Sequence, residues 1–398
     1  LPEILHLNPQ FPTLEKDYSF ILYDKVSDLP QAWDALAISN IFLSTRYLSV
    51  LEISAPTNMR CHFIGLFEKE ELVGIALSQF LDLNLLESFG ERDRCIKTSV
   101  RNFIFKRFSS HVLFIGNNML TGQNAFAIKD GTDCTSAIKT LRKASVSLTE
   151  SFQKSGKKVH LVTFKDFEAA EISKFKKAGY SDYFKFSTQP NMVLGIRSGW
   201  MTFDDYVSDL LKKYRDQFKR ARKKSEGLEK RKMHLEDIVK YENTIYDLYH
   251  HVAKNAPFNT FFLAENHFRT LKEKLRDDFL FYGYFDDGKL VGFNTLIKNG
   301  CVLDTYFLGY DESVQREKML YLNMLYDMIA YCINKGFKKI VFARTALEIK
   351  SSVGAEPVEM FGFMKHRNTL VNKKLDHVFD YLEPKIEWQQ RHPFKEAL

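Results

Sequence analysis

The chain contains no C-x-x-C pair, no P-loop, no dinucleotide-binding fingerprint, no Ser-His-Asp order and no apolar run approaching the length of a membrane span. Nucleoside triphosphate hydrolysis, hydride transfer and triad hydrolysis are therefore not indicated. The five cysteines, Cys61, Cys95, Cys134, Cys301 and Cys332, are odd in number and far apart, so neither a disulfide framework nor a zinc site is indicated and no metal is expected. The histidines, including adjacent His250 and His251, lack ligand spacing. The start, Leu1-Pro2-Glu3-Ile4, lacks the basic region and long apolar core of a secretion signal, although the first residue is not Met. A reducing, cytoplasmic location is the expectation.

What is present is ample material for two cores. The chain has 398 residues, 45% hydrophobic, 14% aromatic and 27% charged, a composition that excludes disorder. The net charge of +7 is not spread evenly. Between Lys212 and Lys232 there are eleven Lys/Arg against three acids, a net of +8, which leaves the rest of the chain at −1. A protein that coats nucleic acid is thereby excluded, DNA is not an expected partner, and one local anion-facing element is predicted.

An internal repeat organises the sequence. Phe63-Ile64-Gly65-Leu66-Phe67-Glu68 followed by Leu72-Val73-Gly74 recurs, 218 residues later, as Phe281-Tyr282-Gly283-Tyr284-Phe285-Asp286 followed by Leu290-Val291-Gly292. Upstream, Phe42–Leu51 is echoed by Phe262–Leu271; downstream, Gly156–Leu161 is echoed by Gly336–Val341. The smaller offset of the last pair places an insertion in the first copy, near residues 80–110. Each copy reads as a helix, two antiparallel strands, a third strand (Val112–Ile115 or Val302–Leu308), a long amphipathic helix (Ala137–Gln153 or Leu320–Asn334), a Gly C-cap and a short buried strand (Val159–Phe164 or Ile340–Phe342). Asp286-Asp287-Gly288-Lys289 is a hairpin signal. The fold class predicted is α+β with two units, 1–195 and 196–398. The second opens with a basic amphipathic helix over 203–225, started by a Thr202/Asp205 capping box. Its stripe, Tyr206, Leu210, Tyr214, Phe218 and Ala221, is expected to dock inward, leaving Lys212, Arg215, Lys219, Arg222 and Lys223 outside.

The order of elements in each copy, the Leu-Val-Gly strand after its turn, and the strand–helix–strand that follows resemble the acyltransferase fold of the GNAT-type N-acetyltransferase superfamily. Two such units in tandem, joined by a basic helix containing Tyr214-Arg215 and closed by Phe342-Ala343-Arg344-Thr345-Ala346-Leu347-Glu348-Ile349-Lys350-Ser351-Ser352-Val353-Gly354, resemble the Fem-type peptidoglycan-bridge aminoacyltransferases and their relatives. The similarity runs over roughly residues 18 to 385. It implies mixed, mostly antiparallel sheets flanked by helices, and acyl transfer from an activated carrier to an amine. It also implies that the third strand of the second copy splays from its neighbour to admit the donor's arm. The superfamily's diphosphate loop is glycine-rich. Here Gln315-Arg316-Glu317-Lys318-Met319-Leu320 stands in its place, which weakens coenzyme A as donor relative to an acyl carrier protein or a tRNA.

Lys350 matches, by this resemblance, the lysine that stabilises the developing oxyanion; the alternative is a solvated surface lysine. Asp304 and Tyr306 alternate on the splayed strand and share a face, so Asp304 is the candidate proton acceptor and Tyr306 a substrate contact. Arg344 and Glu348, four residues apart, are expected to pair, with Arg344 gripping a phosphate or carboxylate and Glu348 orienting it or accepting a proton. Asn323 and Tyr326 on the long helix are further cleft candidates, and Arg215 and Lys219 on the basic helix are candidate binders of an anionic partner. The predicted function is N-acyl transfer from acyl-CoA or an acyl carrier protein, as co-substrate with no tightly bound cofactor, to an amine-bearing small molecule or lipid precursor. The alternatives are a Fem-type aminoacyltransferase that draws on aminoacyl-tRNA to modify cell-wall precursors, and a catalytically inert binding module. An acyl carrier protein, a tRNA or an anionic membrane surface would each suit the basic helix.

Overall fold

The computed structural model describes residues 18–85, 110–256, 259–375 and 388–395. Most of the predicted insertion near 80–110 lies outside these. Thirteen strands form one sheet: β1 (Tyr18–Tyr23), β2 (Met59–Glu68), β3 (Glu71–Asp82), β4 (His111–Ile115), β5 (Phe126–Ile128), β6 (Leu161–Phe167), β7 (Phe184–Gly195), β8 (Glu229–Lys232), β9 (Phe279–Asp286), β10 (Lys289–Asn299), β11 (Val302–Tyr310), β12 (Lys339–Ala343) and β13 (Glu356–His366). Their order is β1-β2-β3-β4-β6-β13-β7-β12-β11-β10-β9-β8, with β5 paired to β3. All pairs are antiparallel except β4–β6 and β11–β12, each bridged by a long helix, Cys134–Lys154 or Leu320–Asn334. The class is α+β, as predicted.

The two repeated motifs form the same hairpin down to its irregularity. In β2–β3 the register slips between Leu66 and Phe67, skipping Val73; in β9–β10 it slips at Val291. These positions differ by the same 218 residues as the sequence repeat. The turn Asp287-Gly288 has φ of 46° and 76°, the paired positive angles that a two-residue hairpin demands. Gly292 is required for another reason: a Cβ there would sit 2.8 Å from a methyl of Leu320, where the long helix crosses the strand.

Alternation along the strands sends neighbouring side chains to opposite faces. On one face Phe63, Ile75 and Leu77 join Phe281, Phe293 and Ile297 in a core shared by the helices Thr45–Ser54 and His267–Leu275. On the other, the two halves keep separate cores, each under its own long helix. The last strands cross over: β7, from the first half, pairs with β12, while β13, from the second, lies between β6 and β7.

The basic segment departs from expectation. It forms two helices, Phe203–Asp209 and Lys212–Lys224, with Leu210 and Leu211 extended between them. The chain end supplies the reason. Leu211 N–H donates to the Pro393 carbonyl at 2.8 Å and Lys395 N–H to that of Asp209 at 3.1 Å, so 388–395 takes up bonds that a continuous helix would have made internally. The Thr202/Asp205 capping box is present as predicted.

Candidate active site

β11 and β12 pair only from Val302 to Asp304, against Lys339 to Val341. β11 then continues to Tyr310 while β12 leaves it, turning through left-handed backbone at Ala343, Thr345 and Ala346. The predicted splay is thus observed, and it opens onto a cavity of about 850 Å³ between the two halves. In the sheet β11 and β12 line it from one side of the paired strands β7 and β13, and β4 and β6 from the other, with the helix Glu242–Asn255 contributing from above β11.

Four charged side chains line this cavity among the described residues: Lys165, Asp304, Arg344 and Lys350. Asp304 is buried, and its Oδ2 has no hydrogen-bond partner. Burial pushes its pKa up to about 7, with Asn299 and Lys339 pulling more weakly the other way. Lys350 is also buried; its Nζ donates to the carbonyls of Arg344 at 2.5 Å and Ala343 at 3.3 Å, and burial lowers its pKa to about 7. A carboxylate and an ammonium that both titrate near neutrality, in one enclosed space, are the groups needed to accept a proton and to meet a developing oxyanion.

The predicted Arg344–Glu348 pair does not form. Arg344 instead ion-pairs with Asp166 and donates from Nε to the Gln189 carbonyl at 3.2 Å, while Glu348 is exposed and ion-pairs with Arg391. A strand-end residue points across the sheet to its neighbours, and here those neighbours belong to the first half. Asp166 is itself buried at φ 68° and contacts Lys165 Nζ at 2.6 Å. Lys165 also donates to the carbonyls of Asn117 and Leu120; burial lowers its pKa, and Asp166 opposes that shift. Lys165 and Asp166 were absent from the sequence candidates. Their signal was available: two charges in the apolar run Val162-Thr163-Phe164-Lys165-Asp166-Phe167.

Tyr306 lines the cavity with its ring, but its hydroxyl bonds to His267 Nε2 at 3.0 Å and to Tyr47, joining the halves. Asn323 and Tyr326 do not reach the cavity. Tyr321, Leu325 and Met328 take the cavity-facing side of the long helix, which turns Asn323 and Tyr326 toward the basic helix. There Asn323 donates to the Ala221 carbonyl at 2.9 Å, and Gln217 donates to the Tyr326 hydroxyl at 3.4 Å. Arg222, expected on the outer face, turns inward to Asp327 at 2.8 Å and Asn323 at 3.1 Å. Arg215 is spent on the carbonyls of Ser208 and Leu210 at the helix break, whereas Lys219 is exposed.

The segment that replaces the glycine-rich loop is largely helix, Glu312–Lys318, ending at Met319 in left-handed conformation before the long helix begins. Among the described residues no cluster of His, Cys, Asp or Glu could hold a metal, and no helix is long and apolar enough to cross a membrane.

A family model described as FemAB-like, peptidoglycan biosynthesis/recognition, matches residues 115–395. No curated protein matches the chain. Among solved structures, FemX superposes with a TM-score of 0.53 at 12% identity, covering 88% of this chain and 98% of FemX. A conserved protein of unknown function from Bacteroides thetaiotaomicron gives 0.50 at 10% identity, covering 86% and 98%. A tandem GNAT protein from the clavulanic acid biosynthesis pathway gives 0.49 at 10% identity, covering 88% and 99%. The chain belongs to the FemAB-like family. It shares the overall fold of FemX, in line with the Fem-type resemblance of its sequence.

Proposed function

We propose that this FemAB-like protein is an N-acyltransferase whose active site is the cavity between its halves. The observation that carries this reading is the splay of β11 from β12 directly beyond the buried Asp304. An acyl thioester or ester enters between the parted strands, and the amine approaches from the cavity. Asp304 takes a proton from the ammonium, and the freed nitrogen attacks the acyl carbon. The C–N bond forms, the C–S or C–O bond breaks, and one of the two remaining nitrogen protons passes to the leaving thiolate or alkoxide while the other stays on the amide. Lys350, held by two carbonyls at the splay, lowers the energy of the tetrahedral oxyanion.

A helix where a diphosphate loop would be favours a donor carried by a macromolecule over free coenzyme A, because side chains at 315–319 keep backbone N–H groups from close approach. A second reading, aminoacyl transfer from tRNA to a cell-wall precursor, is favoured by the family's peptidoglycan description. The test is single-turnover transfer to an amine from acyl-CoA, acyl carrier protein and aminoacyl-tRNA in parallel. Transfer from the carrier protein, lost in Asp304→Asn, is expected; transfer from none of the three donors would overturn the proposal.

A further inference from the structure

We propose that the cavity holds a long apolar chain, so that the group transferred is a medium- or long-chain fatty acyl group; this rests on the reading of the cavity as an acyl-transfer site. Three of the four charged side chains that line the cavity among the described residues gather at one end. Lys165, Asp166 and Arg344 are in contact, and the carbonyl of Arg344 holds Lys350. From Lys165 the cavity-facing side of β6 runs back through Thr163 to Leu161, about 13 Å at the rise of an extended strand. At that far end Val112 and Phe114 on β4, paired in register with Leu161 and Thr163, line the cavity, and Val252 and Ala253 add further apolar lining from the helix Glu242–Asn255, which packs on β11. Phe114, Leu161, Val252 and Ala253 are only half-buried, which leaves apolar surface turned to the cavity for a ligand to cover.

The charges at the reacting end also discriminate against an aminoacyl group. Its ammonium would need an anionic partner. Asp304 is committed to the incoming amine, Asp166 is already paired with two cations, and the other charged side chains lining the cavity among the described residues are cations. An alkyl chain needs no such partner. Each methylene it buries strengthens binding about fourfold, until the chain is longer than the space.

Isothermal titration of the full chain with acetate, octanoate and palmitate, alongside displacement of a fluorescent fatty acid, tests this directly. Affinity is expected to climb steeply from acetate to octanoate and to be retained with palmitate. Val252→Trp and Ala253→Phe, which take up apolar space in the cavity, should weaken palmitate more than tenfold and leave acetate unchanged, with thermal melts verifying that each variant is folded. Affinity independent of chain length, or palmitate binding unmoved in both folded variants, overturns the proposal. Transfer of acetyl or aminoacyl groups without a chain-length ladder would refute the chain site while sparing the transferase reading; the ladder without transfer to any amine would do the reverse.

Discussion

In the first half β4 stops at Ile115, having paired with β6 from Val112 onward; in the second half β11 parts from β12 after Asp304 and runs six residues further. The backbone bonds His160–His111 and Lys338–Cys301 align the halves, and this alignment sets Asp304 in the place of Phe114, and Arg344 in the place of Asp166. Phe114 pairs with Thr163 as Asp304 pairs with Val341, and both line the cavity. The same frame therefore presents a phenyl ring from one wall and a titratable carboxyl from the other.

The sharpest way to break this comparison is to neutralise one wall and trim the other. Asp304→Asn should lower kcat by about a hundredfold to ten-thousandfold, the range of a lost general base, whereas Phe114→Leu should change KM and leave kcat within about tenfold. Asp304 carries a stability signature too. Its folded pKa lies above the ordinary carboxyl value, so the fold favours the neutral form: the cost is absent below about pH 4, grows between there and 7, and is full above 7. Asp304→Asn should accordingly raise the melting temperature at pH 8 and not at pH 4.

Asp166→Ala tests the contact at which the halves meet. It would leave Lys165 and Arg344 without their carboxylate, and unfolding in urea should show a loss of about 3–5 kcal/mol. A loss below about 1 kcal/mol would show that the triad does not hold the walls together.

Lys350 should set the alkaline limb of a narrow bell in kcat/KM centred near pH 7, with Asp304 setting the acid limb. Lys350→Met should cost about a hundredfold; Lys350→Arg, if folded, should retain more activity and extend the alkaline limb, because a guanidinium stays protonated. The smallest effect is predicted on the basic helix. Lys219→Ala should leave folding unchanged within about 0.5 kcal/mol, while Arg222→Ala, which leaves Asp327 with Lys230 and the Tyr284 hydroxyl as partners and Asn323 without its guanidinium, should destabilise measurably in the same denaturation assay.

Much of this architecture was legible in the sequence because repeated hairpins and amphipathic helices are written locally. The 218-residue offset of the repeated motifs is also the offset between the two hairpins' bulges, and the long helix Leu320–Asn334 was placed to the residue. What escaped was set by distant partners. Nothing in residues 203–225 announces that Pro393–Lys395 will take the bonds at Leu210–Leu211. Asn323 and Tyr326 lie on the right helix but on the wrong face, because the side that looks into the cavity depends on where the basic helix packs. Asp304 and Lys350 could be singled out as candidates because a polar residue in a buried strand, and a family motif, are local signals, and both line the cavity. Lys165 carries the same kind of signal, a lysine inside an apolar strand, but its place beside Arg344 is set by the pairing of β6 and β7 with strands of the second copy.

The crossing of β7 and β13 carries a further consequence. Each half ends by lending its last strand to the interior of the sheet around the other, as in a domain-swapped dimer whose two subunits have been tethered into one chain. Such a joint has no hinge. Severing the chain at 195/196 would leave each fragment with an unpaired central edge, and a swinging of one half away from the other would have to break a ladder of backbone bonds. Passage of any ligand into or out of the cavity must then come from movements at the rim, while the strands joined by these ladders keep a fixed separation.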